Sequence, residues 1–451
     1  MSDKKDLKRA SFSGQIGFVL AAAGSAVGLG NVWRFPYLAA KYGGGAFLVI
    51  YLVCAVTFGF TLMITEIALG RKTGKSVIEA YSTLNKRWKF LGILSSVVPI
   101  LILPYYCVIG GWIVKYLSAF ITLSGSAAAT DGYFSEFIGN PFQSIIWWLI
   151  FSALTMLFIL LGVEKGIEKA SKIMMPILII MLIGITVYSL TIPGALEGLK
   201  YYLLPRREAF TPEAVLSAVG QMFYSMSLAM GIMVTYGSYM KKTENIEKSV
   251  RHIELFDTGV AFLAGLLVVP AVTAFAGGAE NMQAGPSLMF ITLPKVFMSM
   301  GKVAGTIIGL LFFLLMLFAA LTSAISIAET VVSIFCDRFG ISRKKSILIT
   351  SGTVLILGIL SALGYGVLSG IHPLGQDSFL EFFDWVTNSV IMPIVALLTC
   401  IFVGFIIKPD TLTAEVKLSS KFKAEKFYKV FVKFIAPIIL AAILIFGLSV
   451  K

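Results

Sequence analysis

Residues 24–36, GSAVGLGNVWRFP, place three glycines, a serine, an asparagine and then Arg34 inside an apolar run from about Gly14 to Leu38. Glycine weakens a helix by about 1 kcal/mol relative to alanine, so this cluster predicts a helix interrupted midway. Lipid offers the backbone no hydrogen-bond partners, and unwound chain at that depth persists only when buried in protein or lining a cavity. The chemistry available is therefore that of bared backbone. Freed carbonyls can bind a cation, and the N-terminus of the resumed helix can bind an anion. A second cluster, GQMFYSMSLAMG at 220–231, carries Ser225, Ser227 and Gly231 in another apolar run. The two interruptions are expected to start at Gly24 and Tyr224, each opening a block of about five spans. Paired broken segments in matching halves mark the midplane site of a transporter. Close helix packing through small residues is the plainer alternative.

The elements that must carry these clusters are membrane helices. Of 451 residues 57% are hydrophobic and 14% charged, with a mean hydropathy of +0.89, which excludes an ordinary soluble domain. Eleven runs approach the roughly 20 residues a span needs: near 14–38, 45–70, 90–123, 143–162, 172–192, 212–239, 254–278, 302–336, 346–369, 380–407 and 431–450. The net charge of +13 is spread between these runs and forms no nucleic-acid patch. With the N-terminus cytoplasmic, most of the 37 lysines and arginines fall in inner segments, as membrane topology requires, and Lys451 is outside. Segment 279–300 is apolar but too broken to span, and reads as a re-entrant or lid hairpin over an outer vestibule, or as a plain loop. Two histidines, His252 and His372, and four scattered cysteines, Cys54, Cys107, Cys336 and Cys400, lack metal-site or disulfide spacing.

At this point the chain resembles the neurotransmitter:sodium symporter family, most closely its bacterial amino-acid transporters. The matching motifs are AGSAVGLGNVWRFPY at 23–37, YGGGAF at 42–47, YYCVIGGW at 105–112, GQMFYSMSLAMG at 220–231, GPSLMFITLP at 285–294 and LTSAIS at 321–326. The resemblance implies an all-α integral membrane fold of about eleven transmembrane helices, a five-plus-five inverted repeat with spans one and six broken. The expected organisation is a cytoplasmic segment 1–13, a first repeat 14–192, a second repeat 212–407, and a loop with span eleven over 408–451. It implies a bacterial inner (plasma) membrane location, a sodium-coupled symporter that is not an enzyme, and a neutral, hydrophobic amino acid as substrate.

Carried over residue by residue, one sodium site comprises the Ala26 carbonyl, Asn31, Ser225 and Asp257, completed by the substrate carboxylate. A second comprises the carbonyls of Gly24, Val27 and Ala319 with the hydroxyls of Thr322 and Ser323. Oxygen ligands suit a hard cation. The adjacent hydroxyls could instead bond back to their own helix. Many family members have asparagine where this chain has Asp257, and chloride-dependent ones supply an anion nearby, so the expectation is two Na+ ions and no chloride requirement. A carboxylate buried in a membrane is costly and functional by default; a structural ion pair with a loop lysine is the alternative. The implied substrate pocket is Ser25, Ala26, Gly28, Ile102, Tyr106, Tyr224, Ser225, Ser227, Met230, Ser323 and Ile327. Its side-chain end, Ile102, Met230 and Ile327, is uncharged.

Two ion pairs fit gates: Arg34 with Asp384 outside, and Arg9 with Asp337 inside, assisted by Tyr239, with Phe12 where the family usually has tryptophan. Gly166 and Pro176 match a family pattern for unwinding span five. Two other classes fit less well. An ion channel would use mid-membrane polar groups without paired gates, and a membrane enzyme would need a catalytic motif that the spans lack. Proton coupling through Asp257 is a variant of the symporter. Lipid and a small-molecule substrate are the partners implied; no nucleic acid is, and no oligomeric state is fixed.

Overall fold

The computed structural model describes residues 10–276, 278, 282 and 285–449, with side chains in the last helix described through Ile445. Among these residues the chain is helix, turn and irregular connection, apart from one β-bridge between Gly44 and Pro205. Among the described residues nine helices are long and apolar enough to cross a bilayer, and the bent pair Gln15–Ala26 and Gly30–Lys41 makes a tenth. That pair is span one. The continuous helices are span two (Gly45–Thr73), three (Lys86–Ile121), four (Pro141–Leu160), five (Val163–Leu190), seven (Ile246–Phe275), eight (Lys302–Phe339), nine (Arg343–Leu363), ten (Phe379–Ile406) and eleven (Glu425–Ile445). Span six is the pair Pro212–Ser225 and Ile232–Gly237, neither piece long enough to cross alone.

Several helices start earlier than hydropathy predicts, because their first turns are charged. Span seven begins at Ile246 and carries Glu247, Lys248, Arg251 and His252 before its apolar stretch. Asn245 Oδ1 accepts the Lys248 N–H at 2.9 Å and caps that start. Span five begins at Val163 with a π-helical turn, so the residues between the expected runs 143–162 and 172–192 are helical from Val163 on. The unwinding expected between Gly166 and Pro176 is absent: Lys169–Leu190 is continuous helix around Pro176.

Spans three and eight pack together along much of their length, while span seven rests on spans one and five. In segment 279–300 the described part, from Gly285, is helical. Leu288, Met289, Phe290, Leu293 and Phe297 are buried there, and the Phe290 carbonyl accepts the Tyr116 hydroxyl at 2.7 Å. This described part is packed onto the bundle.

Small residues let backbones approach closely in a membrane bundle. Span two and the second half of span six use this on both sides. A Cβ on Gly70 would lie 1.9 Å from the Val234 carbonyl, and one on Gly237 would lie 2.4 Å from the Ile67 carbonyl. Gly70→Ala must therefore push the two segments apart, at a cost of about 1–3 kcal/mol. The expected outcome is a lower melting temperature for the detergent-solubilised protein, with Gly352→Ala, which meets nothing within 4 Å, melting no lower than the parent. Equal melting of both variants would show that the close approach does not constrain the fold.

Candidate functional site

Span one stays helical through Ala26, leaves at Val27 (φ −72°, ψ 103°), and resumes at Gly30 as a π-turn. Span six ends its first half at Ser225. Beyond it Ser227, Ala229 and Gly231 take φ of 54°, 60° and 75°. For the two non-glycine residues this left-handed backbone costs about 1 kcal/mol or more each. Both helices thus break as expected, though Gly24 and Tyr224, the expected starts, are still helical. Weak helix formers permit a break, but each helix runs on to the last residue whose bonding pattern closes.

Several of the backbone groups bared there have side-chain partners, most of them from another span. The Ser227 hydroxyl donates to the Ser25 carbonyl at 3.0 Å, and the Ser25 hydroxyl donates to Ser227 Oγ at 3.1 Å, so the two breaks are bonded to each other. The Ala229 N–H donates to Glu66 Oε1 from span two at 2.7 Å. Gln221 Nε2 donates to the Gly30 carbonyl at 2.9 Å, and Asn31 Oδ1 accepts the Gly28 N–H at 2.9 Å.

Between the breaks lies a narrow cavity of about 30 Å³, lined by all eleven residues expected for the substrate pocket together with Leu29 and Gly30. Ile102, Met230 and Ile327 are buried there, and no lining residue is charged. A Cβ on Gly28 would lie 2.7 Å from Ser323 Oγ and 3.2 Å from the Tyr106 hydroxyl, so only glycine keeps this wall open.

Of the first expected sodium set, Asn31 and Ser225 are hydrogen-bonded to Asp257. Its carboxylate, fully buried, accepts from Asn31 Nδ2 at 2.8 Å, Ser225 Oγ at 2.7 Å and the Tyr51 hydroxyl at 3.0 Å. These donors are all neutral, and the expected alternative, an ion pair with a loop lysine, is not formed among the described residues. Of the second set, Ser323 of span eight reaches the span-one break. Ser323 Oγ lies 3.4 Å from the Gly24 carbonyl, 3.1 Å from that of Ser25 and 3.4 Å from that of Val27. One hydroxyl proton serves one acceptor at a time, so three carbonyls converge on a point with spare lone pairs. Thr322 Oγ1 bonds back to Phe318 and Ala319 of its own helix, at 2.9 and 3.2 Å. The Ala319 carbonyl is thereby tied to that hydroxyl.

Above the cavity, on the side away from the N-terminus, opens a vestibule of about 310 Å³ lined by Arg34, Asp384, Tyr224, Gly285 and Pro286 among others. Tyr224 lines both spaces and so forms the floor between them. Arg34 and Asp384 face this vestibule without forming the expected ion pair. Arg34 stands 5.6 Å over the Tyr224 ring, and Asp384 accepts from Tyr105 at 3.1 Å and Asn388 at 2.6 Å. On the N-terminal side Arg9 lies outside the described residues. Asp337 accepts the Ser76 N–H at 2.6 Å. Phe12 is buried edge-on against Phe18, Tyr236 and Tyr239, with centroids 5.4 to 6.1 Å apart.

Comparison with known proteins agrees with this geometry. The sequence profile of the Sodium:neurotransmitter symporter family matches residues 9–131 and 135–451. The chain belongs to that family. It is 40% identical to an uncharacterized sodium-dependent transporter, YhdH of Bacillus subtilis (strain 168), over 99% of this chain and 98% of that one. It is 33% identical to an uncharacterized sodium-dependent transporter of Haemophilus influenzae, over 98% of each. Among solved structures, MhsT in complex with L-phenylalanine superposes with a TM-score of 0.89 at 35% identity, covering 97% of this chain and all of the other. The family is one of membrane symporters and not of enzymes.

In this symporter several contributors to the site were not predicted from sequence: Glu66, Gln221, Tyr51, Leu29 and Gly30. Glu66 carried a visible signal, an acidic residue inside an apolar run. On the N-terminal side, Tyr239 donates to Glu329 at 2.8 Å, and Glu329 pairs with Arg343 at 2.6 Å. Tyr239 was expected to assist Arg9 and Asp337; its hydroxyl donates to Glu329, a carboxylate that was not singled out.

Glu66 gives a direct test of the span-six break. Glu66→Leu leaves the Ala229 N–H buried and unpaired, which costs about 1–3 kcal/mol, whereas Glu66→Gln keeps an acceptor. Sodium-dependent ligand binding by scintillation proximity is expected to weaken about tenfold or more in Glu66→Leu and far less in Glu66→Gln. Equal loss in both would mean that the charge matters and the hydrogen bond does not.

Proposed function

We propose that this chain imports a neutral, apolar amino acid together with two sodium ions by alternating access, and needs no chloride. The observation that carries the reading is the cavity between two bonded helix breaks, with oxygen clusters on two sides of it. A zwitterion suits such a place. Its carboxylate meets the freed N–H groups of span one and the Tyr106 hydroxyl, and its ammonium meets the carbonyls of span six. The side-chain end, Ile102, Met230 and Ile327, offers only apolar contact. Met230 adapts its shape to what it touches, so aliphatic and aromatic side chains both fit. The relative bound to L-phenylalanine supports the aromatic choice.

Ala26, Asn31, Ser225 and Asp257 would hold one sodium ion beside the substrate carboxylate, so that each stabilises the other reciprocally. Gly24, Val27, Ala319, Thr322 and Ser323 would hold the second. The buried Asp257 charge has only neutral donors around it; a cation balances it, and a fixed carboxylate replaces a bound chloride. Moving two sodium charges across 100 mV supplies about 4.6 kcal/mol, enough for roughly a thousandfold accumulation of a zwitterion. Arg34 with Asp384 would close the outer side. Arg9 with Asp337, and Tyr239 beside them, would close the cytoplasmic side, where the N-terminus lies. The eleven spans as two inverted five-helix repeats over 14–192 and 212–407 belong to the same proposal.

Two measurements test it. A scintillation proximity screen of neutral amino acids should find binding of an apolar one in sodium and none when choline replaces it; binding in choline overturns sodium coupling. Uptake into proteoliposomes should be undiminished when gluconate replaces chloride, and Asp257→Asn should lose it at least tenfold in that buffer. A large loss by the parent protein in gluconate rejects the role given to Asp257.

A further inference from the structure

At the N-terminal end of span one, that helix and the first turns of span seven enclose a groove of about 230 Å³ remote from the transport cavity. Its walls differ sharply in chemistry. Ile16, Val19, Leu20 and Phe256 form an apolar side, while Lys248 and His252, one helical turn apart, stand at the rim. Ile16 and the adjoining Leu255 are 73% and 72% exposed, which in a membrane protein places this side against acyl chains. Lys248 and His252 lie about 3 to 9 Å along the helix from its first residue, at 1.5 Å rise per residue, just before its apolar stretch.

The two rim side chains have no hydrogen-bond or ion-pair partner among the described residues. Their neighbour Arg251 is already paired, to Glu247 at 3.0 Å. The groove is also held open from below. Gln15 Nε2 of span one donates to the Asn245 carbonyl at 3.4 Å and to Ser249 Oγ at 3.1 Å, tying the two helices together beneath the rim. A free anion would answer the Lys248 charge and the His252 donor and leave the apolar wall bare. A neutral lipid would do the opposite. We propose that this groove binds an anionic phospholipid of the leaflet bordering the start of span one, with its phosphate on Lys248 and His252 and an acyl chain along Ile16, Val19, Leu20 and Phe256. Juxtamembrane cations favour anionic lipid in this way. A lipid so seated bridges the first half of span one to span seven.

The test reads lipid retention, and so does not depend on the transport assignment. The full-length protein is purified, exchanged into detergent with equal phosphatidylglycerol and phosphatidylcholine, and followed by native mass spectrometry. One phosphatidylglycerol is expected to be retained preferentially. Lys248→Gln should reduce that preference about fivefold, and Lys248→Gln with His252→Gln should abolish it. Leu20→Trp, which fills the groove but keeps Lys248 and His252, should lower retention of the same lipid. An unchanged preference in the double variant overturns the proposal. So does displacement of the lipid by millimolar inorganic phosphate, which would make this an anion site only. Stronger retention after deletion of residues 2–9 would assign the groove to the protein's own N-terminal segment and overturn it as well.

Discussion

A backbone that leaves its helix inside lipid must find other hydrogen-bond partners, since an unpaired amide there costs several kcal/mol. That constraint organises this protein. Spans one and six break, and the N–H and carbonyl groups they expose are taken up by Ser227, Gln221, Asn31, Ser323 and Glu66. These partners sit on spans one, two, six and eight, so the breaks cannot form without a bundle already arranged around them. Two left-handed residues, Ser227 and Ala229, persist because the bonds on either side fix them. The oxygen atoms of the site are thus by-products of the repair: groups half-satisfied by protein keep lone pairs for a cation.

Asp257 extends the same logic to charge. Its carboxylate gathers donors from spans one, two and six onto span seven. Three neutral hydrogen bonds stabilise the anion without cancelling its charge, so the site retains a standing preference for a cation. Replacing that residue by an apolar one would do more than delete a ligand. It would take the acceptor from the Ser225 and Tyr51 hydroxyls and leave Asn31 only the main-chain carbonyl of 257, which is why the conservative amide is the informative variant.

How much of this was legible in the chain depends on whether the signal was local. The breaks were legible, since glycine, serine and asparagine at 24–31 and 225–231 contradict the apolar runs that hold them. The lining of the cavity followed from motif resemblance. Glu66 shows the limit: an acid in an apolar run is conspicuous, but its partner at 229 lies on another span and only folding supplies it. Arg343 was hidden for the opposite reason. It begins a span in a basic stretch, so topology explains it fully, and its bond to the buried Glu329 adds nothing a sequence pattern can see. Charged first turns likewise hid the true starts of spans five and seven.

The two ends of the molecule are held unequally, and this says which way it faces. On the side away from the N-terminus, Arg34 and Asp384 face an open vestibule without pairing, and Tyr224 lies on its floor. On the other side Ser13 donates its N–H to Glu168 at 2.8 Å, Lys241 donates to the Ser13 carbonyl at 2.7 Å, and Glu329 holds both Tyr239 and Arg343. Single pairs of this kind are worth at most about 1 kcal/mol when exposed, yet several in series, with Phe12 packed among three rings, make a seal. Alternating access in such a protein is an exchange of one set of weak contacts for another. Since a ligand moves that balance only by its differential affinity for the two states, an ion or substrate that tightens the paired breaks must act through the bonds joining Ser25 to Ser227 and Ser323 to span one.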